Sequence, residues 1–181
     1  MQQISAKDDP TQQCVPAAFP SAVMLGWPIQ VAQRPGMMIV LNEAFTSFRN
    51  IPIGKGHLSR DYLFPFIGGD SAAKWEGDTL VVDVISFRDA WLATSQDKPT
   101  NTSSGVWPTS DALHVVERWR RVDADTLEYK ARVDDPQMLT DAWETPTVTL
   151  KRQPALRVEE VKCRTDDLRY PAASYLTQSA R

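Results

Sequence analysis

The chain is short of almost everything that would mark a function at sight. It has no long apolar run, two cysteines, two histidines and a net charge of only −3. No stretch approaches the roughly 20 apolar residues that carry a helix across a bilayer, so membrane insertion is not expected. So small a charge offers no field for nucleic acid or an anionic surface, and nucleic acid is not an expected partner. The local cluster Arg118, Arg120 and Arg121 sits among Asp and Glu residues, which reads as a solvated strand face. Cys14 and Cys163 cannot build a zinc site alone, and their spacing fits no metal or redox motif. With His57 and His114 as the only histidines, a His-rich metal centre is excluded; no metal and no cofactor are expected. There is no Gly-x-Ser-x-Gly elbow, phosphate loop, dinucleotide fingerprint or His-Glu-x-x-His motif.

What is present is β patterning. From Asp111 to Asp135, two alternating runs flank the turn Asp123-Ala124-Asp125, a hairpin pattern. Leu113, Val115, Glu117 and Trp119 share one face of the first strand, and His114, Val116, Arg118 and Arg120 share the other. The apolar face thus carries a carboxylate, and burying one bare is costly. Met37–Phe48 alternates in the same way and carries Glu43. Phe48–Ile53 reads as its partner strand. Leu80–Phe87 is apolar on both faces, with Asp83 beside Val81 and Ile85. Val148–Arg152 is expected to pair with Leu156–Lys162 across Gln153-Pro154-Ala155. Residues 88–110 read as a long polar connection without periodicity, and 57–69 as an aromatic loop.

The expected fold is all-β. About eight strands form an antiparallel meander that closes into a lipocalin- or calycin-like barrel, whose interior can hold one small ligand. Residues 1–36 are Pro-rich and read as an extended N-terminal arm, 37–165 as the barrel domain and 166–181 as a tail. Apolar strands on an outer face leave room for a homo-oligomer.

Several segments together resemble a widespread, largely uncharacterised family of exported bacterial β-rich proteins. They are Trp75-Glu76-Gly77-Asp78-Thr79-Leu80-Val81-Val82-Asp83, then Ser110-Asp111-Ala112-Leu113-His114-Val115-Val116-Glu117-Arg118, then Arg120–Glu128 and Asp134-Asp135-Pro136. The resemblance spans roughly residues 10–165 and implies export and a β-rich fold, but no activity. Where such proteins often read His-Pro-His-Ser, this chain has Trp107-Pro108-Thr109-Ser110, and it lacks the His they often carry near Asp70. Cys14 and Cys163 fall where such proteins tend to have theirs. A bridge between them would constrain the unfolded chain by about 4–5 kcal/mol; the alternative is two unrelated thiols. Either an export-competent mature form in the periplasm or a secreted protein fits.

The remaining chemistry is acid–base. Glu43, Asp83 and Glu117 lie on apolar faces of separate strands, and their convergence in one hollow would raise a carboxyl pKa towards neutrality. Histidine is the side-chain type whose ordinary pKa lies nearest neutral, which singles out His114. The candidate catalytic residues are Glu117, His114, Glu43, Asp83 and Tyr62, the last as donor to an oxyanion. Candidate substrate-binding residues are Trp119, Tyr129, Phe64, Trp107 and His57. The expected function is a cofactor-independent enzyme acting on a small aromatic or alicyclic molecule. Its reaction would be elimination, isomerisation, cyclisation or hydrolysis. The alternative is a lipocalin-like carrier of a small apolar ligand. Equally, Glu43 and Glu117 could serve structure, paired with interior arginines such as Arg49 or Arg132.

Overall fold

The computed structural model describes residues 14–59, 61–88, 91–94 and 105–160, with only the backbone of 91–94 and 105–108. The described strands are antiparallel. The first sheet joins β1 (Ile29–Arg34), β2 (Met37–Asn42) and β3 (Ser47–Pro52). The second, in spatial order, holds β10 (Trp143–Glu144), β9 (Thr126–Asp134), β8 (His114–Asp123), β5 (Thr79–Ile85) and β4 (Asp70–Glu76), and β11 (Val148–Lys151) also pairs with β9. A separate hairpin consists of β6 (Trp91–Thr94) and β7 (Gly105–Pro108). One short helix, α1 (Ser21–Met24), precedes β1.

Turn chemistry explains the hairpins. Pro35-Gly36 joins β1 to β2, with Gly36 at φ +78°, a conformation that costs a Cβ-bearing residue energy. Gly77-Asp78 joins β4 to β5, with Gly77 at φ +61° in the first central position of a two-residue turn. In the β8–β9 turn the Asp123 carboxylate accepts the Asp125 amide at 2.8 Å.

Alternation then decides what is inside. On the larger sheet, Ala73, Leu80, Val82, Val84, Val115, Trp119, Tyr129, Ala131 and Val133 all point one way and are buried. Met38, Val40 and Ile51 of the smaller sheet join the same core, together with Phe19, Ala22 and Val23 around α1. An isolated parallel bridge between Ile53 and Ala73 links the two sheets at one corner, where the Gly54 amide donates to the Ala73 carbonyl at 2.7 Å.

The all-β class holds, but none of the described sheets closes into a barrel. The space expected to form a hollow is filled by side chains, with Tyr129, Ile51, Leu80 and Leu113 among the fully buried ones. Three further differences have local causes. The segment read as an irregular arm contains β1, because Pro28 and Pro35 bracket the strand and leave its six residues free to pair. The connection 88–110 contains the β6–β7 hairpin. Val148–Lys151 pairs with Thr126–Tyr129 of β9 and not with residues 156–160, which form no strand. The tail 166–181 lies outside the described residues. Among the described residues no helix is long and apolar enough to cross a membrane.

Candidate functional site

Register brings the site together. β4, β5 and β8 are adjacent, with Asp70 opposite Ile85, Ala72 opposite Asp83, and Asp83 opposite Val116. By the two-residue period, Asp70, Asp83 and His114 therefore share the face of the sheet that looks away from the core. His57 comes from the segment that follows β3. The four make a continuous chain of hydrogen bonds. Asp70 Oδ2 meets His57 Nδ1 at 2.7 Å, His57 Nε2 meets Asp83 Oδ1 at 2.8 Å, and Asp83 Oδ2 meets His114 Nε2 at 2.8 Å. The Leu58 amide also donates to Asp70 Oδ2, at 3.2 Å.

Proton counting assigns the roles. An ionised carboxylate only accepts hydrogen bonds, so each imidazole nitrogen facing one must carry a hydrogen. His57 faces carboxylates with both nitrogens, so wherever both carboxylates are ionised it is an imidazolium. His114 donates through Nε2, which leaves Nδ1 as the acceptor, with no partner among the described residues. Its side chain is 43% exposed. The pKa directions agree. Burial by itself would lower the His57 pKa, but hydrogen bonds to Asp83 and Asp70 outweigh it and raise the value. Burial by itself would raise the Asp83 pKa, but the hydrogen bonds from His114 and His57 outweigh it and hold it down.

These directions define a pH window. Asp83 contributes stability above its ordinary 3.8, and loses it as pH falls through its depressed value. His57 contributes fully below its ordinary 6.5, and loses it as pH rises through its raised value. The chain of hydrogen bonds is intact between those limits. Protection of the Leu58 amide against hydrogen exchange should accordingly drop on the alkaline side, beyond the intrinsic rise in exchange. Protection that stays flat from mildly acidic to alkaline pH would rule out an imidazolium at His57.

Gly69 sets Asp70 in place. It takes φ +65°, and a Cβ there would lie 2.7 Å from Val84 Cγ1 and 2.9 Å from the Ile85 carbonyl oxygen. Gly69→Ala should cost about 1–3 kcal/mol from the backbone conformation alone. Urea denaturation measures the loss, and a stability within error of wild type would contradict the tight approach.

The sequence-derived candidates divide among five places. His114, Asp83 and His57 belong to this chain of hydrogen bonds. Glu117, Trp119 and Tyr129 lie on the opposite, buried face. There Arg49 from β3 pairs with Glu117 through two hydrogen bonds, of 2.9 and 2.5 Å, and the Trp119 indole donates to the same carboxylate at 3.1 Å. The Arg49 guanidinium also stacks on the Phe19 ring, 3.9 Å from its centre. Tyr129 meets the Trp119 ring edge-to-face. Its hydroxyl has no hydrogen-bond partner among the described residues. Burial, with the Glu117 charge nearby, pushes its pKa well up, so it stays protonated. Glu43 sits apart, at the start of a short turn after β2, where its carboxylate accepts the Glu159 amide at 3.2 Å. The three carboxylates expected to converge therefore do not. β2 ends at Asn42, before Glu43, and Asp83 and Glu117 face opposite sides of one sheet.

Tyr62 and Phe64 are exposed, as are Leu58 and Phe66 on the same segment. The segment is anchored at both ends beside β5. His57 binds Asp83, and the Phe66 amide donates to the Ser86 carbonyl at 3.1 Å. Trp107 lies on β7 in register with Leu92, and its side chain lies outside the described residues.

Asp70 and Asp135 were not anticipated as site residues. Asp135 is buried and accepts the Ser110 amide at 2.7 Å and hydroxyl at 2.6 Å, which fixes the turn leading into His114. Asp135 stands in the Asp-Asp-Pro segment, but its partner lies 25 residues away.

Among the described residues, no group of three or more His, Cys, Asp or Glu side chains is arranged to hold a metal ion. The imidazoles and carboxylates are aimed at one another and not at a common point. A depression of 410 Å³ lined by Gln33, Pro35, Ile53 and Trp75 and one of 250 Å³ beside Leu41, Phe48 and Val158 both lie away from these residues. Neither offers a hydrogen-bonded pair of titratable groups, so the chemistry is read at His114.

Compared with protein-family models, curated proteins and solved structures, the chain finds no match.

Proposed function

We propose that this protein is an acid–base enzyme acting on a small ring-bearing molecule, with His114 as the group that takes and returns a proton. The Asp83–His114 pair carries the reading. Asp83 fixes the tautomer of His114 and stabilises the imidazolium that forms when Nδ1 accepts a proton. The reaction class is elimination, isomerisation, cyclisation or hydrolysis, each of which needs proton transfer and no cofactor. The exposed side chains of Leu58, Tyr62, Phe64 and Phe66 supply an apolar wall for the ring, and Tyr62 a donor for a developing oxyanion. Two of the three nine-residue segments of the family resemblance each supply half of the pair: Asp83 closes one and His114 lies in the other. Export belongs to the same proposal, as does a bridge between Cys14 and Cys163. Cys14 is not a free thiol, and Cys163 lies outside the described residues.

A carrier that binds without reaction is the second reading, favoured by the same exposed aromatics. Incubation with a panel of ring-bearing carbonyl compounds in heavy water separates the two. Deuterium entering carbon, or a new product, supports the enzyme. Tryptophan fluorescence changes without either support the carrier. Neither exchange, product nor binding across the panel would defeat both.

A further inference from the structure

We propose that Asp70 is a positioning residue for the proton-transfer pair: it clamps His57 against Asp83 and so fixes the carboxylate that orients His114. The clamp rests on geometry; its functional meaning rests on the reading of His114 as the base. Asp70 is the more enclosed of the two aspartates, its side chain 12% exposed against 43% for Asp83. It is held by β4 pairing opposite Ile85 and by the Leu58 amide, and Gly69 before it allows the close approach to β5. It therefore provides the rigid end of the chain. Asp83 is an exposed link between the two histidines, and without a donor on Oδ1 its carboxylate is free to rotate about χ2.

The titratable groups around the pair come from four elements. Asp70 stands on β4, Asp83 on β5, His114 on β8, and Asp134 on β9 directly opposite His114 in register. Three carboxylates thus stand around two imidazoles, with the Arg132 cation of β9 on the same face, opposite Val116 in register. Like charges on one face repel, and a cation at His57 relieves that repulsion where Asp70 and Asp83 approach each other. Removal of the Asp70 charge in an amide leaves a weaker, neutral acceptor that can also turn a donor towards His57 Nδ1, and takes away half the reason for that cation. A neutral His57 can present Nε2 to Asp83 as an unprotonated nitrogen. Asp83 then loses one of its two donors, and His114 loses the fixed partner that selects its Nε2–H tautomer.

The test is nitrogen-15 NMR of the imidazole rings in the full chain, which needs no substrate. In wild type, His57 is expected to be protonated at both nitrogens and to titrate above its ordinary 6.5, and His114 to show one tautomer, Nε2–H. In Asp70→Asn, which keeps the side-chain size, the His57 midpoint should fall back towards the ordinary value. His114 should become a mixture of tautomers, with the backbone spectrum otherwise unchanged. A single Nε2–H tautomer and an unshifted His57 midpoint in Asp70→Asn would overturn the proposal. If Asp70→Asn does not fold, His57→Gln gives the same readout at His114: mixed tautomers support the clamp, and an unchanged single tautomer overturns it. Failure of the acid–base reading would appear separately, as absence of exchange in heavy water with the NMR pattern intact.

Discussion

Glu117→Gln should cost about 3–5 kcal/mol of folding stability, because it leaves the buried Arg49 guanidinium without its counter-charge. Both members of the pair are enclosed, Glu117 fully so. The desolvation of each charge is offset only by the other, by the Trp119 indole and by the face of Phe19. Arg49→Met should cost a similar amount, since it strands the carboxylate. The double replacement Arg49→Met with Glu117→Leu removes both charges and fills the space with hydrocarbon. It should be more stable than either single variant, as replacement of a buried ion pair by well-packed apolar residues often is. Urea denaturation of wild type, Arg49→Met, Glu117→Leu and the double variant completes the cycle, with Glu117→Gln measured beside it. A Glu117→Gln protein within about 0.5 kcal/mol of wild type, as at an ordinary surface position, would mean that the pair is not buried as described. The same experiment bears on catalysis. A Glu117 that serves the core loses stability on replacement, and whatever protein remains folded keeps its activity.

His114→Gln should do the reverse. Its side chain is partly exposed and its partner Asp83 equally so, so stability should change by no more than about 1 kcal/mol, the range of an exposed pair. Proton transfer should slow by about 10²–10⁴-fold, the usual contribution of a positioned general base. Deuterium incorporation into whichever panel compound wild type labels is the measurement. Asp83→Asn should follow in the same direction, because an amide presents a donor as well as an acceptor and no longer dictates which nitrogen of His114 carries the hydrogen. A His114→Gln protein that exchanges at the wild-type rate would remove His114 from the chemistry. Opposite outcomes for Glu117 and His114, three residues apart on one strand, would separate a core ion pair from a working base.

Those two residues also show how far the pattern reached. Period-two alternation placed Glu117 on the buried face of β8 and His114 on the outer face, and the structure has both there. That signal is local: successive strand residues point to opposite sides whatever the rest of the chain does. Alternation likewise put Asp83 beside Val81 and Ile85. It could not reveal that β5 pairs with β8, because residues 86–113 intervene and strand pairing over such a distance leaves no local trace. The aromatic segment was visible as a loop, yet nothing in its sequence tied His57 to an aspartate 26 residues on.

Barrel closure failed as an expectation for a related reason. A tally of strands gives their number and not the order in which they hydrogen-bond. Here β6 and β7 pair with each other apart from the main sheet, and β11 returns to β9. β1 went unread because flanking prolines argue for irregular chain, although a proline just outside an edge strand removes no donor that the ladder needs.

The amino-acid order by itself therefore determined the all-β class, the faces of the longest hairpin and the short supply of groups able to move a proton. Tertiary structure alone decided which of those groups meet, because contact between distant strands depends on register and on the turns that set it. It set Asp83 between two histidines on one side of the sheet and committed Glu117 to an arginine on the other.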